Sequence, residues 1–236
     1  MDNPSNLKAF PTVLHPALAN RVKSRPVSRP ASLIQSFWEG SPSGSKGPNP
    51  SFATAHVVLA FLLIGNAKQI GRKSLSEELE IGEGATRTVI GRLKELSLIE
   101  TNPSGCYLTS PGMTEFRRLR GQLSGPISLL GARLSVGKAQ EALRIGKGGK
   151  HVETGIEQRD AAVKAGASGA TTYVLAAGRV TIPGGSRDCE RDFPSPIWAT
   201  LRKELDLENG DALVIAGAES QKAARLSAVA AALTLL

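Results

Sequence analysis

Arg87, Thr88, Gly91 and Arg92 fall together on the polar side of a run with helical periodicity, and the chemistry such a set performs is recognition. Guanidinium groups offer a rigid fork of donors to phosphate or guanine edges, a threonine hydroxyl serves either partner, and glycine admits close approach. Arg72 and Lys73 stand upstream, where a second helix would meet phosphates. A second candidate is the loop Gly146-Lys-Gly-Gly-Lys150-His151. It lies between a predicted strand and a predicted helix start, where free amides and the helix dipole favour an anion. Lys147, Gly148, Gly149 and Lys150, with Arg159 on the helix that follows, are therefore candidate residues for an anionic small-molecule effector. The GxxxxGK[ST] spacing of a nucleotide-phosphate loop is missing. Gly82-Glu-Gly84 is no dinucleotide fingerprint either, because no strand precedes it and Arg87 occupies the place of the third glycine.

No catalytic constellation emerges. Asp211 and Glu219 bracket a strand end without a nucleophile. Thr154 and Glu157 fit a capping box, which accounts for Glu157 before any acid–base role does. Asp160 is placed to pair with Lys164 one turn on, and the charged run Ser186–Asp192 reads as a solvated loop. Cys106 and Cys189 stand far apart without a CxxC, and His15, His56 and His151 are isolated. That pattern excludes a clustered zinc site and a disulfide-built secreted domain. The expectation is a protein that is not an enzyme, with no catalytic residue, no metal and no cofactor.

The elements that must hold the first set are legible in residues 70–110. Leu75, Leu79 and Ile81 give one helix its apolar rhythm, between the solvated Glu77, Glu78 and Glu80. Gly82-Glu-Gly84 supplies a tight turn, where glycine takes positive φ freely. A second helix buries Thr86, Val89, Ile90, Leu93 and Leu96 and turns Gly84, Arg87, Thr88, Gly91 and Arg92 outward. Leu98-Ile99, the turn at Asn102–Gly105 and Tyr107-Leu108 complete a hairpin. Helix, turn, helix and hairpin is the order of a winged helix-turn-helix, whose second helix enters a DNA major groove. Such modules also serve protein contacts, and the wing tip from Thr101 to Thr109 holds no Arg or Lys.

Around this core the chain divides into four stretches. Residues 1–50 form a basic tail rich in Pro and Ser, with one short helical island at Ala31–Trp38. Residues 51–125 form the winged-helix domain, closed by a helix with Ser110 as N-cap, Pro111 in its first turn, and a stripe of Met113, Phe116, Leu119 and Leu123. Residues 126–140 read as a connector, and residues 141–236 as an α/β effector or assembly domain. Its predicted order is a strand at Glu141–Ile145, a helix at Gly155–Ala165, and a hairpin of Ala170–Leu175 with Arg179–Ile182. A helix at Pro196–Leu205, a strand at Ala212–Ala216 and a helix from Glu219 complete it. The fold class is thus α+β: a winged helix-turn-helix, then a ferredoxin-like βαββαβ sandwich with an added C-terminal helix, all helices on one sheet face.

Composition narrows the setting. The 236 residues carry a net charge of +8, and half of it sits in residues 1–50, six basic against two acidic. A basic balance favours polyanionic partners. The longest apolar run, Val57–Ile64, is too short to span a bilayer, and the polar N-terminus is unlike a signal peptide. No membrane association and a cytoplasmic location are expected.

Several blocks resemble an uncharacterised archaeal family in which a winged helix precedes a C-terminal domain of unknown function. They are Ile70–Leu79, GEGATRTVIGRLKELSLIE at residues 82–100, GIEQRDAAVKAGASGATT at 155–172 and AALTLL at 231–236. The resemblance spans roughly residues 52–236, implies a transcriptional regulator, and brings no catalytic residues with it. The layout is also similar to the feast/famine regulators, which join a winged helix to a ferredoxin-like effector domain. Archaeal riboflavin kinases fused to winged helices are a third comparison, without a nucleotide-site motif here. The reading is a dimeric regulator of double-stranded DNA: Arg87, Thr88, Gly91 and Arg92 face the groove, and Arg72 and Lys73 meet phosphates. Its C-terminal domain senses a small molecule or mediates dimerisation. Alternatives are an adaptor for the transcription or translation machinery, or an enzyme acting on a phosphorylated small molecule through residues 146–151.

Overall fold

The computed structural model describes residues 52–129, 131 and 134–236; the basic tail and its helical island lie outside them. The first described helix, α1 (Thr54–Ala67), is apolar almost throughout and buries Ala55, Ile64 and the whole run from Val57 to Leu62. A helix apolar all round needs cover on every side. It starts at Ala53, whose N–H donates to His56 Nδ1 at 3.0 Å, so this histidine works as a cap.

After the short strand β1 (Gln69–Ile70) come α2 (Arg72–Leu79) and α3 (Glu83–Glu95). The turn between them differs from the predicted glycine turn. Glu80 takes the left-handed conformation, at φ 53°, while Gly82 is extended and precedes α3. The Ser76 hydroxyl donates to the Ile81 carbonyl at 2.6 Å and holds the bend where Ile81 reaches the core. Strands β2 (Ile99–Asn102) and β3 (Gly105–Leu108) form the hairpin, and β1 pairs with β3 to give the antiparallel order β1-β3-β2. Asn102 Oδ1 accepts from the amides of Ser104 and Gly105, an Asx turn that fixes the tip. In α4 (Ser110–Gln122) the cap is Thr109 rather than Ser110: its hydroxyl oxygen accepts from Gly112 N at 3.0 Å and its hydroxyl donates to the Ser97 carbonyl.

The chain after α4 does not become a connector at once. Leu123–Ser128 is a strand, β4, and it opens a five-stranded antiparallel sheet. The other strands are β5 (Ala139–Ile145), β6 (Gly169–Ala176), β7 (Arg179–Thr181) and β8 (Ala212–Ala218), in the order β4-β5-β8-β6-β7. Helices α5 (Ile156–Lys164), α6 (Cys189–Asp192), α7 (Ile197–Leu205) and α8 (Gln221–Leu233) join them. The βαββαβα succession is therefore present, as two interlocked split units. β8 lies between the strands that α5 connects, and β6 lies between those that α7 connects.

The one-sided sandwich is corrected. Leu143, Ile145, Val214 and Ala216 face α5 and α8, whereas Ala142, Leu213, Ile215, Tyr173 and Leu175 face Trp198, Leu201 and Leu205 of α7. All seven residues of β8 are buried, as an uninterrupted apolar strand requires. The core under α1 continues through α8 to the sheet, so the helical N-terminal part and the C-terminal sheet share one hydrophobic interior.

Candidate nucleic-acid interface

The exposed side of α3 places Arg87 and Thr88 in solvent, and a Cβ built on Gly84 or Gly91 would meet open space. Neither glycine is demanded by internal packing, so this stretch of backbone is open to close approach from outside. Thr88 donates to the Gly84 carbonyl at 3.2 Å, which leaves its lone pairs outward. Arg92 belongs elsewhere. Its guanidinium carbon lies 4.9 Å from the Phe52 ring centroid, a cation–π contact at the start of α1. At 3.6 residues per turn Arg92 is about 140° around the helix from Arg87, whereas Lys94 is only about 20° away.

Lys94, a further cation of the same helix, lies outside the set expected to face the groove. It lines a groove of about 330 Å³ between α3, the start of α2 and the hairpin, together with Arg72 and Arg87. The floor is Ile90 and the buried thiol of Cys106, and the hairpin side carries Thr101, Asn102 and Ser104. Burial raises the Cys106 thiol above its ordinary acidity range, while Lys94 and Arg72 pull it the other way; both charges therefore act on the groove floor. Arg72 lies 3.6 Å from Glu83 in a half-exposed pair, and Lys94 donates to the Thr101 hydroxyl at 3.3 Å. Lys73 is exposed on the first turn of α2. Beyond the hairpin, Arg118 is bound to Glu115 and Arg120 to the Gly125 carbonyl, so these two cations brace α4.

The loop at 146–151 is built differently from an anion cradle. The Gly146 amide donates to Gln122 O, Lys147 N to Asp211 Oδ1 and Gly149 N to Gly210 O, so three of its amides are already engaged. Cβ atoms on Gly148 and Gly149 would sit 2.7 Å from Ile145 and 2.8 Å from Val174; these glycines are packing contacts. The Lys147 ammonium reaches Asn209 O and Glu208, and Lys150 is exposed. Asp211, which the sequence offered only as a strand-end carboxylate, organises the loop. Burial pushes its carboxyl up, but Arg144 and the amides of Lys147 and Glu208 outweigh that and hold it below the usual range. Arg159 pairs with the adjacent Asp160 at 3.0 Å, in place of the expected Asp160–Lys164 pair. The capping box is absent too: Gly155, left-handed, precedes α5, and Thr154 accepts from Ile156 N at 3.3 Å.

Of the three glutamates expected in solvent, Glu77 and Glu80 are exposed and Glu78 is drawn onto α8. Glu78 meets Arg225 at 2.9 Å and Lys222 at 3.6 Å, the Glu77 carbonyl accepts from Lys222, and Glu80 accepts from Ser220. Arg225 also lies 3.6 Å from the buried Glu141 of β5. One arginine thus ties α2 to the large sheet.

Among the described residues no group of histidine, cysteine and carboxylates is placed to hold a metal, and no helix is long and apolar enough to cross a membrane.

Residues 136–235 match the family described as "Domain of unknown function (DUF4443)", and residues 56–114 match the "PH0730-like, N-terminal domain". Among solved structures, "Hypothetical protein PH0730 from Pyrococcus horikoshii OT3" is 29% identical, with a TM-score of 0.63 over 78% of this chain and 93% of that one. No curated protein matches the chain. The N-terminal match ends within α4 and the C-terminal match begins after β4, and together with the Pyrococcus structure they fit an uncharacterised archaeal family, as the blocks at 70–100 and 155–172 anticipate.

Proposed function

We propose that the protein is a sequence-specific regulator of double-stranded DNA whose α1-α2-α3-hairpin unit is a winged helix-turn-helix. One observation carries this reading: the exposed face of α3, with Arg87, Thr88 and two glycines free of packing duty, borders a groove into which Arg72 and Lys94 also project. An open helix with donors on its outer face suits base edges, and flanking cations suit phosphates. In this reading α3 lies in the major groove and the protein acts as a homodimer. The sheet-bearing half either assembles the dimer or responds to a small molecule, and α8 transmits that event through Arg225 and Lys222 to α2.

Selection of duplexes from a random pool by the full-length protein tests it. The expected winner is an inverted repeat with half-sites about one helical turn apart. On that site Arg87→Ala weakens binding by about 1–3 kcal/mol and relaxes specificity at one base position. Loss of equal size on every sequence reassigns Arg87 to a phosphate, and recovery of no motif removes the regulator reading. The hairpin tip without Lys or Arg favours a second reading, an adaptor that docks a protein through the same module. A protein partner captured by a chain that has no duplex affinity would establish it.

A further inference from the structure

The groove between α3 and the hairpin holds more positive charge than its surroundings neutralise. Arg72, Arg87 and Lys94 converge on it from two helices. Among the described residues only Arg72 has a carboxylate within ion-pair distance, Glu83 at 3.6 Å, and both of those side chains are half exposed. Like charges gathered on a concave, partly apolar surface repel one another, and such a surface concentrates the field that an anion would feel. The remaining lining supports an oxyanion as well. Thr101 and Ser104 bring hydroxyls, and Gly71, which precedes α2 with no side-chain cap among the described residues, lines the groove beside Arg72. A volume of about 330 Å³ exceeds what one base edge would fill and suits a phosphoryl group with part of what it is attached to.

We propose that this groove is a phosphate-binding site, in which Arg72 and Lys94 hold a phosphoryl group against the start of α2 and Arg87 closes the rim. It rests on the DNA reading only for the source of the phosphate, which is either a duplex backbone or a small phosphorylated molecule that competes with DNA. The wing tip then contributes hydroxyls and shape, and α2 and α3 contribute the charge.

The test uses the full-length protein, Arg72→Gln, Lys94→Gln and a charge-matched control, Lys203→Gln on α7, after thermal melting has shown each to be folded. Amide NMR signals are followed during titration with inorganic phosphate, then with a duplex and with a set of phosphomonoesters at fixed low salt. The expected result is saturable movement of the 71–74 and 101–106 amides by phosphate, weakened at least fivefold by Arg72→Gln or Lys94→Gln and unaltered by Lys203→Gln. A backbone source shows as equal loss on all duplexes in both variants, with the slope of log K against log salt reduced by about one. A free-ligand source shows as one phosphomonoester that binds far more tightly than inorganic phosphate and displaces the duplex. Saturable phosphate binding without any duplex binding removes the DNA reading and keeps the site. No movement of those amides by phosphate, or phosphate binding of equal strength in the wild type and both variants, overturns the site.

Discussion

Glu141 shows how much one buried atom decides. Its Oε1 accepts from Ser128 at 2.8 Å and from Gln221 at 3.0 Å, but Oε2 is buried with no hydrogen-bond partner among the described residues. Burial pushes the carboxyl above its ordinary value of 4.5, against the opposing pull of Ser128 and Arg225. A carboxyl with a raised folded value binds its proton more tightly folded than unfolded. Its stabilising contribution is complete below 4.5 and disappears as pH climbs through the raised value. Glu141→Gln removes that titration, so the difference in Tm between wild type and variant should be flat below pH 4.5, change as pH rises through the raised value, and level off above it. Calorimetry across the range decides, and parallel curves would refute the assignment. At this scale residue type and spacing reveal some side chains and hide others. Arg87 and Thr88 stand out by type and position, while Lys94 carried its signal in the i, i+7 spacing from Arg87 and was outweighed by Arg92. Only the place of Phe52 shows where Arg92 goes. Glu78 reads as solvated because nothing local reveals that the last helix supplies its cations, Arg225 and Lys222.

Among the elements, α4 is set by a contact that its own sequence barely signals. A Cβ on Gly112 would stand 1.9 Å from the Leu98 carbonyl oxygen, with backbone that cannot swing aside. Gly112→Ala should therefore destabilise the chain by about 1–3 kcal/mol, as overpacking does, although alanine is the better helix former. Chemical denaturation measures it; a stabilised variant would mean that α4 shifts freely over the hairpin. Elements with strong periodicity were legible: α3 by its apolar positions three and four apart, β8 by its unbroken apolar run. β4 was not. Gly125-Pro126 looks like the end of a helix, and proline is tolerated in a strand only at an edge, which is where β4 lies. Its partner β5 begins after residues 129–138, so no local pattern announces the pairing. The placement of helices on both sheet faces escaped for the same reason. It follows from the total cover that β8 needs and not from the alternation of any single element.

For the molecule as a whole, the decisive fact is that α1 has two neighbourhoods. One side packs under α2, α3 and α4, and the other meets α8, within one continuous core. A truncation ending after residue 125 uncovers the α8 side of α1 and strips Glu78 of Arg225 and Lys222. It should melt without cooperativity and bind a hydrophobic dye, where the full chain gives one sharp transition; a sharp transition for the fragment would show that α1 needs only one of its covers.

The position of β8 bears on how the chain is made. The strand at the centre of the large sheet is the last to be synthesised, and it enters between β5 and β6, which until then have no hydrogen-bonding partner on their facing sides. A ribosome-bound chain that has reached residue 205 owns every strand of that sheet except the one that joins its halves. Two open edges wait for residues 212–218, and open edges invite pairing with other chains. The emerging chain is therefore most exposed to misassembly while residues 212–218 are still to come, and the arrival of β8 is the step that closes the sheet.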